Sequence, residues 1–365
     1  MNLATAPPAH LAPPRGDEFG RAMREAVTQT LIAHELPARG GGRLWGKAAV
    51  VLGWWLGSYA LLVWAPIGVP VAVALALSMS FAQAGVGMSV KHDAVHHAFS
   101  RNHRVNAAVV HVATAYGLSA GWWRHKHNRF HHAYTNIDGL DIDLGAVGRL
   151  SPQQVWRPRH RWQHVYLWVL YPFVVLSQFF GADLKYALFG RVGSHQVERP
   201  SVGRAVVRLA DKLKGFVLLV GIALTFRPAL GVLAVFLCIY LVGGMVLALT
   251  FVVEHTVDTS TFPVIDPPSG QASIGWAESQ VRGSANLATQ NRLLSWYVGS
   301  LNHHIEHHLF PKVGHVHLRT IAPEVRRVCA EHGVPYHEFP TIRAALASHG
   351  RFLRALGRAP EHLAP

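Results

Sequence analysis

Residues 299 to 311 read GSLNHHIEHHLFP, and the spacing inside that stretch decides how the rest of the chain is read. His304, His307 and His308 stand three and four residues apart, with His303 alongside. On an α-helix, residues i, i+3 and i+4 share one face, so these imidazoles converge on one point. Imidazole nitrogen suits iron, copper, zinc and nickel, and such ions need more donors than one short helix supplies. Two upstream clusters repeat the pattern. HDAVHH contains His92, His96 and His97, and HNRFHH contains His127, His131 and His132, each an i, i+4 pair plus its neighbour. A single pair is more often a surface feature or a satisfied core histidine. Three clusters with one internal spacing are not explained that way.

The surrounding composition is that of a membrane protein. Half of the 365 residues are hydrophobic and only 15% are charged, an apolar excess beyond that of soluble domains. Histidines outnumber acidic residues, 25 against 20, which favours metal or proton chemistry. The net charge of +14 is carried mostly by Arg spread along loops between apolar spans. That distribution fits anionic headgroups better than nucleic acid, which calls for a basic module interleaved with aromatics. Cys238 and Cys329 are too few and too isolated for a disulfide framework, an iron-sulfur motif or a zinc ribbon. Residues 1 to 43 lack the apolar core of a signal peptide and read as a disordered or flexible segment, through PPAHLAPPRG and then ARGGGR.

A spanning helix needs roughly 20 apolar residues. Segments 44–64 and 67–90 meet that length and are joined at Ala65-Pro66, and a second candidate pair, 212–227 and 229–253, is joined at Arg227-Pro228. Segment 105–123 is read as lying at the interface, because a crossing there would put the first two histidine clusters on opposite sides. Charge weighs against segment 165–180, and whether it crosses stays open: its crossing would place seven basic residues between 185 and 214 outside. With four spans, Arg227 is the one Lys or Arg of 34 in an outer turn. The predicted fold is therefore all-α and integral to the membrane. Four transmembrane helices form two hairpins under a cytoplasmic, histidine-rich helical cap, with both termini cytoplasmic. The membrane domain runs over 44–310 and a cytoplasmic tail over 311–365. Residues 256–280 read as a loop and 284–300 as a helix. The tail segment IRAALASHGRFLRALGR alternates apolar and Arg positions with helical spacing, which suits either a membrane-surface helix or one packed on the soluble part.

Nine clustered imidazoles exceed the four to six donors that one first-row ion takes, so two ions are expected. Neutral imidazoles leave the ionic charge uncompensated, and Asp93, Asp141, Asp143 and Glu306 are placed to orient them. Each of these carboxylates equally suits a helix cap or a solvated loop.

Here the residues carry a resemblance. HDAVHH, HNRFHHAYTN and HIEHHLFP, in that order and with about 170 residues between the second and third, resemble the three histidine boxes of the membrane fatty acid desaturases, closest to the acyl-lipid and front-end branch. The likeness runs from about residue 86 to 310 and on to HVH at 315–317. It implies a non-haem di-iron centre, an acyl chain beneath it, and conversion of a CH2–CH2 pair into a cis double bond with dioxygen and two electrons. By matching positions, the ligands and catalytic residues are His92, His96, His97, His127, His131, His132, His304, His307 and His308. His255, in FVVEHTVD, matches a further ligand near the end of the fourth span. His125, His303, His315 and His317 are weaker candidates.

Two departures qualify the resemblance. Many front-end members have Gln where this chain has His304, so double-bond position does not transfer from that subgroup. The 365 residues also hold no HPGG haem motif, ferredoxin-type cysteine run or nucleotide-binding glycine loop. Electrons are expected from a separate ferredoxin or cytochrome b5, drawn to a basic cytoplasmic face. The Arg-rich composition points to a bacterial inner membrane. The nearest alternative is a lipid hydroxylase of the same superfamily. From another class, a non-catalytic membrane metal-binding or transport protein would carry His and carboxylates inside its spans, and these spans are almost free of them.

Overall fold

The computed structural model describes residues 17–113, 119–145, 147–265 and 272–359. Two compact units are interleaved along the chain. One comprises Arg39–His125 and Leu170–Leu249; the other comprises Lys126–Val169 together with the chain before Arg39 and after Leu249.

In the unit that begins at Arg39, helix Gly42–Trp64 starts after Gly41, whose φ of 105° only glycine adopts readily. Its buried residues include Leu44, Ala48, Val51, Trp55, Ser58 and Leu62, the three- and four-residue spacing of one helical face. Ala65-Pro66 ends it, because the residue before a proline is pushed out of the helical region. Gly68 then caps Val69–Gly85, with a proline in its first turn, where the missing N–H costs nothing. That helix widens into a π-turn over Val86–Lys91 before delivering His92–Val95. Residues 217–224 lie against the first helix: Tyr59 Oη donates to the Leu218 carbonyl at 2.5 Å, and Val63, Ala223 and Val232 share a small core. At Gly244 the Ala229–His255 helix crosses the Pro172 carbonyl, where a Cβ would stand 2.3 Å from that oxygen. Val50, Leu56, Leu61, Val73, Leu230 and Leu233 face outward, an apolar exterior that suits lipid and not water.

Four helices are long and apolar enough to cross a membrane, namely Gly42–Trp64, Val69–Val95, Pro158–Phe189 and Ala229–His255. The chain is a multi-pass integral membrane protein. The number agrees with the sequence reading, but one member differs. Pro158–Phe189, which contains the 165–180 segment that the charge count disfavours, is a nearly continuous helix of 32 residues. Residues 212–227, expected as a span, instead continue the amphipathic helix Val202–Phe216, whose Arg208, Asp211, Lys212 and Lys214 dilute its hydropathy. Helix His103–Ala113 has 11 residues, about half a span, and 114–118 of the expected interface segment lie outside the described residues.

The other unit corrects the reading of the N-terminus. Residues 1–16, with PPAHLAPPRG, lie outside the described residues, but Glu18–Ala33, expected to be flexible, forms a helix capped by Asp17. Its Met23 and Val27 pack with Val281, Ile305, Leu309, Ile321 and Val325. The helix had no obvious apolar run, because only its buried stripe is apolar. Between 256 and 300 the sequence reading is also revised. Trp276–Arg282 is a helix inside the presumed loop, and the presumed helix is a two-residue strand, Asn286–Leu287, followed by Arg292–Tyr297. Asn286–Leu287 pairs in parallel with Glu338–Phe339, and Arg191–Val192 pairs with His195–Gln196, so the all-α expectation holds apart from these short ladders among the described residues. The tail helix Ile342–Gly357 packs on its own unit, burying Ala345, Ser348, His349, Phe352 and Leu353. His349 Nδ1 donates to the Thr256 carbonyl at 2.6 Å, next to His255.

Truncating Met23 to alanine is expected to destabilise the protein by about 2–4 kcal/mol in a denaturant melt of the detergent-purified chain. A variant as stable as the parent would show that the N-terminal helix is not part of the core. Burial pushes the His349 pKa down to about 4, while the unfolded residue titrates near 6.5. The unfolded state therefore takes up a proton first on acidification. Stability from neutral His349 is complete above about pH 6.5 and is lost towards pH 4, on the order of 3 kcal/mol. His349→Gln keeps an N–H for Thr256 and should gain that amount relative to the parent between pH 7 and 4. Parallel pH profiles would refute the assignment.

Candidate metal centre

Box by box, local structure brings the histidines to one face. HNRFHH lies at the end of a π-helical stretch, His125–His131, and the His132 N–H bonds the His127 carbonyl five residues back. The expected i, i+4 α-helical pairing therefore becomes a wider turn in which i, i+4 and i+5 fall together, a departure often found at functional sites. HIEHH forms the short helix His304–Leu309, as its spacing predicts, with His303 at its cap. His255 ends the Ala229–His255 helix. Asn136, at φ 59°, ties these pieces together: its Nδ2 reaches the carbonyls of His255, Thr261 and Gly283 at 3.1–3.2 Å.

His131, His255, His304 and His308 are all buried, and each offers a ligand atom within 4.8 Å of the others. The Nδ1 side of every ring faces an acceptor. His131 Nδ1–H donates to Asp141 at 3.1 Å, His255 Nδ1–H to the Gly283 carbonyl at 2.9 Å, and His308 Nδ1–H to Gln280 Oε1 at 2.8 Å. His304 Nδ1 stands 3.1 Å from the Leu301 carbonyl and 2.8 Å from Glu254 Oε2. With the proton fixed on Nδ1, each Nε2 presents a lone pair. Those lone pairs face one another: His255 Nε2 lies 3.1 Å from His131 Nε2 and 2.7 Å from His304 Nε2, and His308 Nε2 has no hydrogen-bond partner. Proton-free nitrogens this close repel unless a cation sits among them. Metal–imidazole bonds of 2.0–2.1 Å in a tetrahedral shell would set N···N separations of about 3.3 Å, a few tenths wider than those here. The residues fit a metal ion.

A second convergence adjoins the first. His132 Nε2 lies 3.0 Å from His307 Nε2 and 3.3 Å from His127 Nε2, and the His132 and His308 rings stack at 4.3 Å. The first box belongs to the other unit. There His92 and His96 are buried with ring centroids 4.7 Å apart, and His97 takes the left-handed backbone conformation at φ 59°.

Charge at the cluster is graded. Burial disfavours a proton on His131, but Asp141 beside it outweighs that and raises its pKa, and the same field favours a cation. Asp143 stands 3.6 Å from His131 and pairs with Lys126. Burial, with its neighbouring histidines, holds His308 well below its usual pKa and keeps it neutral. Of the four carboxylates singled out in the sequence, Asp141 and Asp143 serve the cluster. Asp93 lies 3.8 Å from His92, and Glu306 turns away to Asn286 and Tyr336. Two orienting groups were missed. Glu254 was overlooked as the last polar residue of a span, and Gln280 because its helix had been read as a loop. Among the weaker histidines, none joins these two convergences. His125 bonds the Gly121 carbonyl, His303 is buried beside Glu306, and His315 and His317 form the turn before Leu318–Glu331.

The sequence profile described as Fatty acid desaturase matches residues 67–340. The chain belongs to the fatty acid desaturase family. It is similar to an sn-1 linoleoyl-lipid 6-desaturase of Synechocystis sp., with 33% identity over 346 residues covering 93% of this chain and 96% of that protein. A protein of the same description from Arthrospira platensis is 30% identical, covering 94% of each chain. An acyl-lipid (8-3)-desaturase of Physcomitrium patens is 32% identical, covering 85% of this chain and 66% of its own. The desaturase is thus an oxidoreductase that acts on dioxygen and an acyl substrate, with histidine clusters able to coordinate metal.

Gln280→Leu removes the acceptor for His308 Nδ1–H while keeping bulk. Losing such a partner costs about 10–100-fold in metal affinity, so elemental analysis of the purified variant should find less metal per chain than in the parent. Undiminished metal would remove Gln280 from the site.

Proposed function

We propose that this desaturase inserts a cis double bond into an acyl chain esterified to a glycerolipid. The observation that carries the reading is the set of Nε2 lone pairs held 2.7–3.1 Å apart by locked Nδ1 protons, in a chain similar along 93% of its length to a lipid-linked 6-desaturase. Two non-haem iron ions are the proposed cofactors. His131, His255, His304 and His308 would hold one, and His127, His132 and His307, joined by His92, His96 and His97 of the first box, the other. The first-box assignment rests on motif resemblance. Iron bound there supplies the oxidising chemistry with dioxygen: two hydrogens leave adjacent methylenes, two electrons and two protons enter, and two waters form.

The chain's own residues do the holding. Asp141, Gln280 and the Leu301 and Gly283 carbonyls keep each Nε2 free of a proton, and burial keeps bulk water from the cluster. Helices 42–64 and 69–95 form one proposed hairpin, and Pro158–Phe189 and Ala229–His255 supply the other two spans. Arg227 stands beside the turn of that hairpin and donates to the carbonyls of Leu62, Val63 and Ala65. The histidine-bearing side and both termini would be cytoplasmic, and the membrane a bacterial inner membrane. A ferredoxin or a free cytochrome b5 would deliver electrons, with acidic carriers favoured by the net charge of +14.

Gas chromatography with mass spectrometry of lipids from cells expressing the chain, with a ferredoxin system, tests the reading. A new double bond absent from a His307→Ala/His308→Ala variant is expected, enriched in the glycerolipid fraction. A hydroxylated product would instead support the hydroxylase alternative. Iron binding with no new product would favour a non-catalytic metal protein.

A further inference from the structure

Arg227 stands just before the Ala229–His255 helix, against the turn that joins Gly42–Trp64 to Val69–Val95. Its guanidinium is half-buried at the turn between residues 212–224 and the Ala229–His255 helix. Nε donates to the Leu62 and Val63 carbonyls at 2.9 and 3.0 Å and Nη2 to the Ala65 carbonyl, while Nη1 has no acceptor and the group no carboxylate among the described residues. A half-buried charge answered only by carbonyl dipoles is under-compensated. The fork is held rigidly on one edge and open on the other, the geometry that suits a phosphate.

Beside it lies a cavity of about 150 Å³ in the same unit. Its walls include Val63, Met79, Leu219, Val232, Phe236 and Tyr240, and Arg227 is the charged residue among its lining. Apolar cavities of about this size stay dry and accept apolar guests. Trp64 and Phe226 meet edge to face at 5.9 Å at the rim, and Tyr59 stands 6.2 Å from Trp64, the aromatic grouping expected at headgroup level. Met79, the lining residue nearest the first histidine box, stands roughly 20 Å along its helix from His92. The cavity is therefore not where the acyl chain reacts.

We propose that Arg227 and this cavity bind an anionic phospholipid of the leaflet at the Ala65-Pro66 turn. The phosphate meets the open edge of the guanidinium, and part of one acyl chain enters the cavity. This lipid is bound and not consumed, so the inference does not depend on which lipid is desaturated.

Native mass spectrometry of the delipidated full-length protein, incubated with phosphatidylglycerol or phosphatidylcholine of identical chains, tests it. The parent should retain phosphatidylglycerol about tenfold better, Arg227→Gln should lose that preference, and Val232→Phe should retain at least fivefold less of it. Equal retention of the two lipids by the parent overturns the proposal. So does an Arg227→Gln protein that keeps the preference, or displacement of phosphatidylglycerol by equimolar free fatty acid. Should Arg227→Gln not fold, Val232→Phe leaves the guanidinium in place and decides alone: unchanged retention overturns the site. No readout involves desaturation, so failure here leaves the proposed function standing.

Discussion

Four imidazoles must point their Nε2 atoms at one another, and most of the surrounding structure answers to that demand. Left alone, such nitrogens would turn away or share protons. They are prevented because each ring is gripped from behind, by Asp141, by Glu254 and the Leu301 carbonyl, by Gln280, and by the Gly283 carbonyl. These grips are fastened in turn: Thr135 donates to Gln280, and Asn136 spans the His255, Thr261 and Gly283 carbonyls. A cation then finds a site whose repulsion has already been met by folding. Among the described residues, Asp141 is the carboxylate that accepts a hydrogen bond from these four rings, so the cluster offers partial and not full compensation of a dication's charge.

The membrane part obeys a simpler constraint. Its backbone groups are satisfied within helices, and close approach is obtained where side chains are smallest, as where Gly244 lies over the Pro172 carbonyl. Polar contacts occur both between helix middles, as where Trp54 donates to Ser78, and at the ends, as with Tyr59 and Leu218 and with Arg227 and the carbonyls of 62, 63 and 65.

What the sequence reveals follows from which signals are local. The boxes were legible because ligand spacing is set within one or two turns, and His255 because it follows an unmistakable apolar helix. The π-turn at His125–His131 was not legible, since nothing in HKHNRFH distinguishes five-residue from four-residue closure. Glu18–Ala33 was hidden for a related reason: proline-rich neighbours set the impression of disorder, and its buried stripe gains meaning only from Leu318–Glu331, three hundred residues on. Gln280 was lost with its seven-residue helix, too short to carry periodicity. The choice between 158–189 and 212–227 as a span turned on charge counting, whereas helix length and local hydropathy answer a different question.

Interleaving of the two units also sets an order of events during synthesis. The second box is made early, but its partners at 255, 304 and 308 follow more than a hundred residues later, and the helix bearing 304 and 308 rests on a core completed by 318–331 and by the N-terminal helix. Apolar helices can enter the bilayer as they emerge, whereas non-local contacts wait for the chain that closes them. The growing polypeptide must therefore carry the Glu18–Ala33 helix and the second-box histidines without their partners until residues 318–331 have emerged, and the four-histidine cluster can close on a metal only then.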